Sequence, residues 1–444
     1  MSSPVRHPLT AVVGAVFLTV AWVAVWVTNA HHTLGTLVVV AVSGLAILGA
    51  SFLLAWGAET AEKDVPRAFA LAVLAVLAVA PEYAVDAYFA WTAGANAGTE
   101  AGREAANLAV ANMTGANRIL IGLGWSGIAL FSIHQHRKRK DGQYIERDGF
   151  LDDAISLDRD IATEILFLFA ATVYAFFIPL GGGINAIDSF VLVSLYVVYI
   201  AIIIRGEVSA EEQVGVPAYF QRQPRSVRIP VVFVLFSYSG FLIFTAVEPF
   251  AHGLENLGLQ FDIPPFFMLQ WIAPLASESP ELIVTAYLVN KARATAAFNA
   301  LISSKLNQWT LLIGTLVVVY SLALGQYGTL PFDRKQMAEI WLTAAQSFFA
   351  IAVLVNFTIS IREAVTLLTL FLSQVVLEFV FLQTLPPAQA ATYSYWLLIA
   401  YSVLYIVLGA LLLWKRHTAL REILHLTAAK IRRARIRRAE ESQD

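Results

Sequence analysis

Two places in this chain set a glutamate directly after a proline, deep in apolar sequence. One reads Val79-Ala80-Pro81-Glu82-Tyr83-Ala84-Val85-Asp86 and the other Ser277-Glu278-Ser279-Pro280-Glu281-Leu282-Ile283-Val284-Thr285. Proline has no N–H, so within a helix it frees the carbonyl one turn earlier. A freed carbonyl in lipid is costly unless it lines a polar cavity. Beside a glutamate it supplies hard oxygen ligands of the kind that Na⁺ or Ca²⁺ takes. Asp86 lies one turn after Glu82, and Glu278 lies close to one turn before Glu281, which puts each pair on one helix face. Ionisable groups in a membrane interior are costly and by default mark a pathway or a site. The expected metal ligands are therefore Glu82 and Glu281, with Asp86 and Glu278 as ligands, proton acceptors or salt-bridge partners, and Ser277 beside them.

Each Pro-Glu segment is followed by a second one with polar residues at its middle. The first is Asn112-Met113-Thr114-Gly115-Ala116-Asn117-Arg118 and the second Asn299-Ala300-Leu301-Ile302-Ser303-Ser304-Lys305. The separation from Glu82 to Asn112 exceeds that from Glu281 to Asn299 by 12 residues. The separation from Glu82 to Arg118 exceeds that from Glu281 to Lys305 by the same 12. One insertion near residues 93–103 accounts for both, so the segments are equivalent. Asn112 and Asn299 join the expected ligands. Asn117 and Ser304 read more readily as hydrogen-bonding groups between helices. Arg118 and Lys305 hold equivalent positions. They are either partners of Asp86 and Glu278 or locks on helix packing. Four carboxylates and two fixed cations leave two negative charges. If both cations faced the site, they would stand in for carried ions. Lys305 lies two residues from Ser303 and from Asn307, off their helical face, which favours the lock.

The elements that carry these residues must be membrane helices. The chain has 444 residues, 58% hydrophobic and 14% charged, against about 45–50% and 25% in soluble domains. The apolar residues gather in runs of the length that crosses a bilayer as a helix, twice that of a barrel strand. Twelve spans are expected, near 9–28, 34–56, 66–92, 104–131, 161–180, 188–204, 229–250, 265–290, 294–324, 338–358, 362–383 and 394–414. Eleven remain if the first is a cleaved signal, but its apolar stretch is long for one and lacks a clear cleavage site. With the N-terminus inside, the odd-numbered loops hold only Arg103, Arg334 and Lys335. Arg118 and Lys305 lie within spans, and every other one of the 30 basic residues falls on the inner side, as the positive-inside rule requires. Both termini are then cytoplasmic, in the inner or plasma membrane of a prokaryote.

The Pro-Glu spans are the third and the eighth. An odd offset of five forces opposite orientations, so the fold class is an all-α membrane protein with two inverted five-helix repeats, a transporter design. The expected division is an extra helix at 1–30, a first half at 34–205, a cytoplasmic linker at 206–228, a second half at 229–384 and an extra helix at 394–414. Segment 415–444 is basic, with Leu420, Ile423, Leu424, Ile431 and Ile436 at helical spacing, and reads as an amphipathic surface helix or a solvated tail. Loop 132–160 reads as a charged linker. Asn112-Met-Thr114 and Asn356-Phe-Thr358 match the glycosylation pattern, but both are placed within spans. Glu248 is expected near an outer end, and Glu378 has no assigned role.

No cysteine is present, which excludes disulfides, thiolate metal sites and cysteine nucleophiles. A net charge of −2 gives no sign of nucleic-acid binding. No phosphate loop appears, which argues against a nucleotide-driven pump in this chain, and no cofactor is expected.

These residues carry a resemblance to the sodium/calcium exchanger superfamily of cation antiporters, over about 70–130 and 265–320. Its pattern is G-T-S-x-P-E, then a helix with G-N-x-x-G-S-N. Ala80-Pro81-Glu82 and Ser277-Glu-Ser-Pro-Glu281 match the first part; Asn112-x-x-Gly115-Ala116-Asn117 and Asn299-x-x-x-Ser303-Ser304 match the second. The resemblance implies that Glu82 and Glu281 are the essential ion-binding carboxylates and that Ser303 and Asn307 are further ligands. It implies secondary-active antiport of Ca²⁺ or Na⁺ against Na⁺ or H⁺ by alternating access, and no enzymatic activity. Departures are Ala78 and Val79 for Thr-Ser, Ala116 and Leu120 where ligands are expected, and Arg118 and Lys305 for apolar residues. The depleted first repeat keeps a Na⁺/H⁺ or K⁺/H⁺ exchanger without Ca²⁺ transport open. A cation channel and a membrane-embedded acid–base enzyme are the readings from other classes. The partners are inorganic cations and the lipid bilayer.

Overall fold

A computed structural model describes residues 7–65, 79–139, 143–205 and 213–441. Residues 1–6 of the expected first segment, the start of the third expected span (66–78), 140–142 of the 132–160 loop, 206–212 of the expected linker and 442–444 of the tail lie outside the described residues. The chain is all-α, as the length of its apolar runs dictates. The helices are α1 (Pro8–Val27), α2 (Thr36–Ala61), α3 (Ala80–Ala95), α4 (Glu100–Ile119), α5 (Ser126–Arg139), α6 (Ala162–Ala175), α7 (Ala186–Arg205) and α8 (Gly215–Gln221). They continue with α9 (Arg225–Gln260), α10 (Pro265–Asn290), α11 (Ala294–Asn307), α12 (Ile313–Leu324), α13 (Arg334–Leu354), α14 (Ile361–Thr384), α15 (Pro387–Lys415) and α16 (His417–Glu441).

Among the described residues, 10 helical segments are long and apolar enough to cross a membrane. They overlap ten of the twelve expected spans. The other two are the Pro-Glu segments. Helix α3 is described only from Ala80 onward. Helix α10 has 26 residues, yet its Ser277–Glu281 stretch makes it too polar to stand with the ten. The count of twelve is therefore not met on hydropathy alone, because the segments that carry the chemistry are the least apolar.

The chain divides into two compact units, one of Met1–Tyr88 with Ser209–Pro280 and one of Phe89–Val208 with Glu281–Asp444. In the first, α1 lies on α2 and α9. The Trp22 indole donates to Thr245 Oγ1 at 3.0 Å, and Thr19 Oγ1 meets the Tyr238 hydroxyl at 2.6 Å. Gly49 allows the approach of α1 to α2, since a Cβ there would sit 2.7 Å from the Ala15 carbonyl oxygen. The expected linker is not featureless. Its described part forms α8, whose Val216 and Phe220 pack with Leu53 and Trp56 of α2. Arg228 closes this end on Asp64 with a two-pronged ion pair of 2.5 and 2.6 Å.

In the second unit α13 is buried along almost its whole length and packs on α6 and α15. The 132–160 segment is also more than a linker. Strands β1 (Tyr144–Ile145) and β2 (Ala154–Ser156) form an antiparallel three-stranded sheet with Thr358–Ser360, in the order β1, β2, Thr358–Ser360. Gly183–Ile184 pairs with Leu330–Pro331. Asn356 lies in the turn after α13 rather than within a span, and its Nδ2 donates to Thr358 Oγ1 at 2.8 Å. The basic tail is a helix packed on α6 and α7. Ile423 and Thr427 are buried, and Glu422 accepts from Arg159 at 2.5 Å. Ile423 and Thr427 thus face protein, while Leu424 of the expected stripe is exposed.

Candidate cation-binding site

In the first unit, Pro81 is the second residue of α3 as described, a position where its missing N–H costs nothing. Glu82 follows in the first turn and is 2% exposed; Asp86, one turn on, is fully buried. Helix α10 runs unbroken through both Pro274 and Pro280. Pro280 does not break the helix. The ring instead leaves the Ala276 carbonyl without its usual donor inside a continuous helix. Ser279 Oγ donates to the Leu275 carbonyl and Ser277 Oγ to that of Pro274, at 3.4 Å for the latter. Ser277 and Glu278 are buried.

The second unit holds Glu281, Asn112, Asn299, Ser303, Asn307, Arg118 and Lys305. Helix α4 is capped by Thr99, whose hydroxyl accepts from the Gly102 amide at 3.1 Å. Asn112 is buried on α4 and Asn307 on α11. Glu281 takes a hydrogen bond from the Ser304 side chain, while its Oε2 and Asn299 Oδ1 are buried without a hydrogen-bond partner. Ser303 turns instead to the Tyr199 hydroxyl of α7. The family resemblance puts Ser303 among the ligands and leaves Ser304 as a hydrogen-bonding group between helices. The neighbour is the one that meets Glu281.

Arg118 forms its ion pair with Glu339 of α13 at 2.7 Å. The partners expected were Asp86 and Glu278. Its other nitrogen donates to Gln374 of α14, Gln374 donates to Glu378 at 2.8 Å, and Glu378 meets Lys335 at 3.0 Å. Glu378, left without a role by sequence, is the hinge of this chain of contacts. Lys305 Nζ lies 3.1 Å from Asn117 Oδ1, 3.2 Å from the Asn117 carbonyl oxygen and 5.1 Å from the Trp309 ring centre. Both cations are thus held by groups sequence did not name as their partners. Glu248 is exposed.

A backbone feature repeats as well. Leu120–Trp125 follows Arg118 as a π-helical turn, and Gln308–Leu312 follows Lys305 as another. Such turns concentrate at functional sites. They were not visible in the sequence because a π turn is set by packing rather than by periodicity.

The first unit offers buried carboxylates and the second a carboxylate with amide oxygens, each the donor types that a hard cation takes. Residues 35–205 and 231–380 match the family model described as "Sodium/calcium exchanger protein", which covers more than half of the chain. A solved structure described as an H⁺/Ca²⁺ exchanger, CAX, is 42% identical over 96% of this chain and 98% of that one, with a TM-score of 0.82. The structure of native YfkE is 15% identical over 82% of this chain and 98% of that one, with a TM-score of 0.58, and shares the fold. No curated protein matches. Its helices, its buried acids and this match together make the chain a member of the sodium/calcium exchanger family, a multi-pass membrane antiporter and not an enzyme.

Proposed function

We propose that the chain exchanges Ca²⁺ against H⁺ by alternating access, with Glu82 and Glu281 as the carboxylates both ions share. The observation that carries this reading is its 42% identity, over 96% of its length, to a protein described as an H⁺/Ca²⁺ exchanger. The chemistry agrees. A metal site built on carboxylates binds its ion only when they are deprotonated, so Ca²⁺ binding releases protons and protons expel Ca²⁺. Competition at one site is what couples two ions without a nucleotide. Asp86 and Glu278 lie on the helices of Glu82 and Glu281, Asn112 and Asn299 on the helices that follow each, and these groups complete the oxygen set. The halves 34–205 and 229–384 are read as inverted repeats, with both termini cytoplasmic.

The test is ion flux in proteoliposomes under imposed Ca²⁺, Na⁺, K⁺ and H⁺ gradients. Ca²⁺ uptake driven by a proton gradient, and insensitive to Na⁺ and K⁺, is the expected result. Flux of Na⁺ or K⁺ against H⁺ without Ca²⁺ movement would overturn the choice of ion. Cation flux that needs no counter-ion would overturn antiport.

A further inference from the structure

One buried acid of the second unit has no part in the site above. Glu164 is the third residue of α6, 6% exposed, with Oε2 buried and without a hydrogen-bond partner. Its Oε1 accepts from the Tyr199 hydroxyl of α7 at 3.4 Å. Tyr199 is itself 6% exposed and bonded to Ser303 of α11. Ser304, next in sequence, meets Glu281. Charged or titratable groups facing Glu164 are Tyr199 from α7, Lys430 from α16 and Asp160 from the turn that precedes α6.

A carboxylate enclosed this far has a cost that a helix-forming apolar residue would not. Glu164 sits in the first turn of α6, directly after the Arg159–Ile161 turn, and α16 packs on that helix. Its open oxygen is placed to take a proton there, and its other oxygen is tied to a hydroxyl chain leading to α11.

We infer that Glu164 is a proton-loading carboxylate that passes protons through the Tyr199 and Ser303 hydroxyls toward the Glu281 side of the exchange site. The step balances once the donors turn. Glu164 gains a proton and hands it to the Tyr199 oxygen, each hydroxyl oxygen gives up one proton as it receives another, and one proton leaves at α11; the Tyr199 and Ser303 hydroxyls, which point toward Glu164 in the structure, rotate to carry it. No bond between heavy atoms forms or breaks. Glu164 and Tyr199 are positioned to serve the proton and not the metal ion. The inference rests on the Ca²⁺/H⁺ reading proposed above.

The experiment compares two fluxes in the same proteoliposomes, Ca²⁺ uptake driven by a proton gradient and Ca²⁺/Ca²⁺ self-exchange at one pH on both sides. Self-exchange needs no net proton movement. Glu164→Gln keeps the size of the side chain and removes its proton affinity; Tyr199→Phe keeps the ring and cuts the chain of hydroxyls. Each is expected to slow proton-driven uptake by on the order of tenfold or more while self-exchange stays at the wild-type rate. Equal loss of both fluxes would give these residues a structural role and overturn the inference, as would proton-driven uptake unchanged in both variants. Wild-type protein that moves Ca²⁺ in neither assay would overturn the ion assignment itself, and the relay with it.

Discussion

Arg118 Nη1 donates to Glu339 Oε2 at 2.7 Å, and the two side chains are 2% and 0% exposed. An arginine inside a cation exchanger would repel the ion it faced. Here its charge is neutralised by α13, and the chain of contacts through Gln374 and Glu378 to Lys335 balances two cations with two anions. Removing one member of a buried pair strands the other. Glu339→Gln is therefore expected to cost about 3–5 kcal/mol, read as a lowered unfolding midpoint in detergent. The double variant Arg118→Met, Glu339→Leu should recover most of that loss. A single variant as stable as wild type would show that the pair does not hold α4 to α13.

This network also shows why some residues were readable in the sequence and others not. Glu82 and Glu281 announce themselves because proline and a carboxylate are both costly in lipid. Helix type and ten of the span positions follow from the length of the apolar runs. Lys335 was counted with an outer loop, since one basic residue at the edge of an apolar run looks solvated. The structure makes it the second residue of α13 and pairs it with Glu378. The spacings Lys335–Glu339 and Gln374–Glu378 put each pair on one face, a signal that was present but unused. Glu164–Tyr199–Ser303 joins three helices far apart in sequence, and no local pattern reports such a contact.

Lys305 tests whether a fixed cation replaces a carried one. Its ammonium is held by the Asn117 amide and carbonyl oxygens and lies over Trp309. That makes it a strut between α4 and α11. Lys305→Met is expected to leave the ratio of Ca²⁺ to H⁺ unchanged and to lower the thermal midpoint. A change in the reversal potential of exchange would restore the surrogate-ion role.

Asp64 and Arg228 give a pH dependence outside the spans. The Arg228 guanidinium, bonded to both carboxylate oxygens, holds Asp64 below its ordinary pKa of 3.8. Above that pH the folded chain keeps the pair and gains from it. As pH falls through the lowered value, the unfolded chain binds the proton first and the gain is lost. Asp64→Asn should therefore be less stable than wild type at neutral pH, and the gap should close as the pH drops below about 4. A gap that stays constant down to acid unfolding would remove the ion pair as its cause.

Gly94 and Gly122 separate backbone from side-chain clashes. A Cβ at Gly94 would lie 2.3 Å from the Tyr320 carbonyl oxygen, and one at Gly122 2.2 Å from the Phe371 ring. The nearest atom is the Phe371 Cγ, which flipping the ring leaves in place, so the Phe371 side chain must swing about its Cα–Cβ bond, whereas backbone of α12 must move to relieve the first contact. Gly94→Ala is expected to lower the unfolding midpoint more than Gly122→Ala does. Gly122 lies in the π turn after Arg118, so its variant should also slow flux. Equal midpoints would mean that α3 and α12 have slack at this contact.

The carboxylates of the two Pro-Glu segments are the sharpest test of the proposed exchange. Glu82 and Glu281 differ in their surroundings: Glu82 opens α3 and is almost wholly enclosed, while Glu281 sits mid-helix and takes a bond from Ser304. If both bind the transported ion, Glu82→Gln and Glu281→Gln must each abolish exchange, because neutral amides neither attract Ca²⁺ as carboxylates do nor release a proton to it. The amides nearly match the acids in size, so the unfolding midpoint in Ca²⁺-free buffer should stay close to wild type. Stabilisation by added Ca²⁺, present in wild type through binding to the folded state, should vanish in both. Near-normal flux in either variant would remove that carboxylate from the site, and loss of flux with Ca²⁺ stabilisation intact would move its role from binding to the transport step.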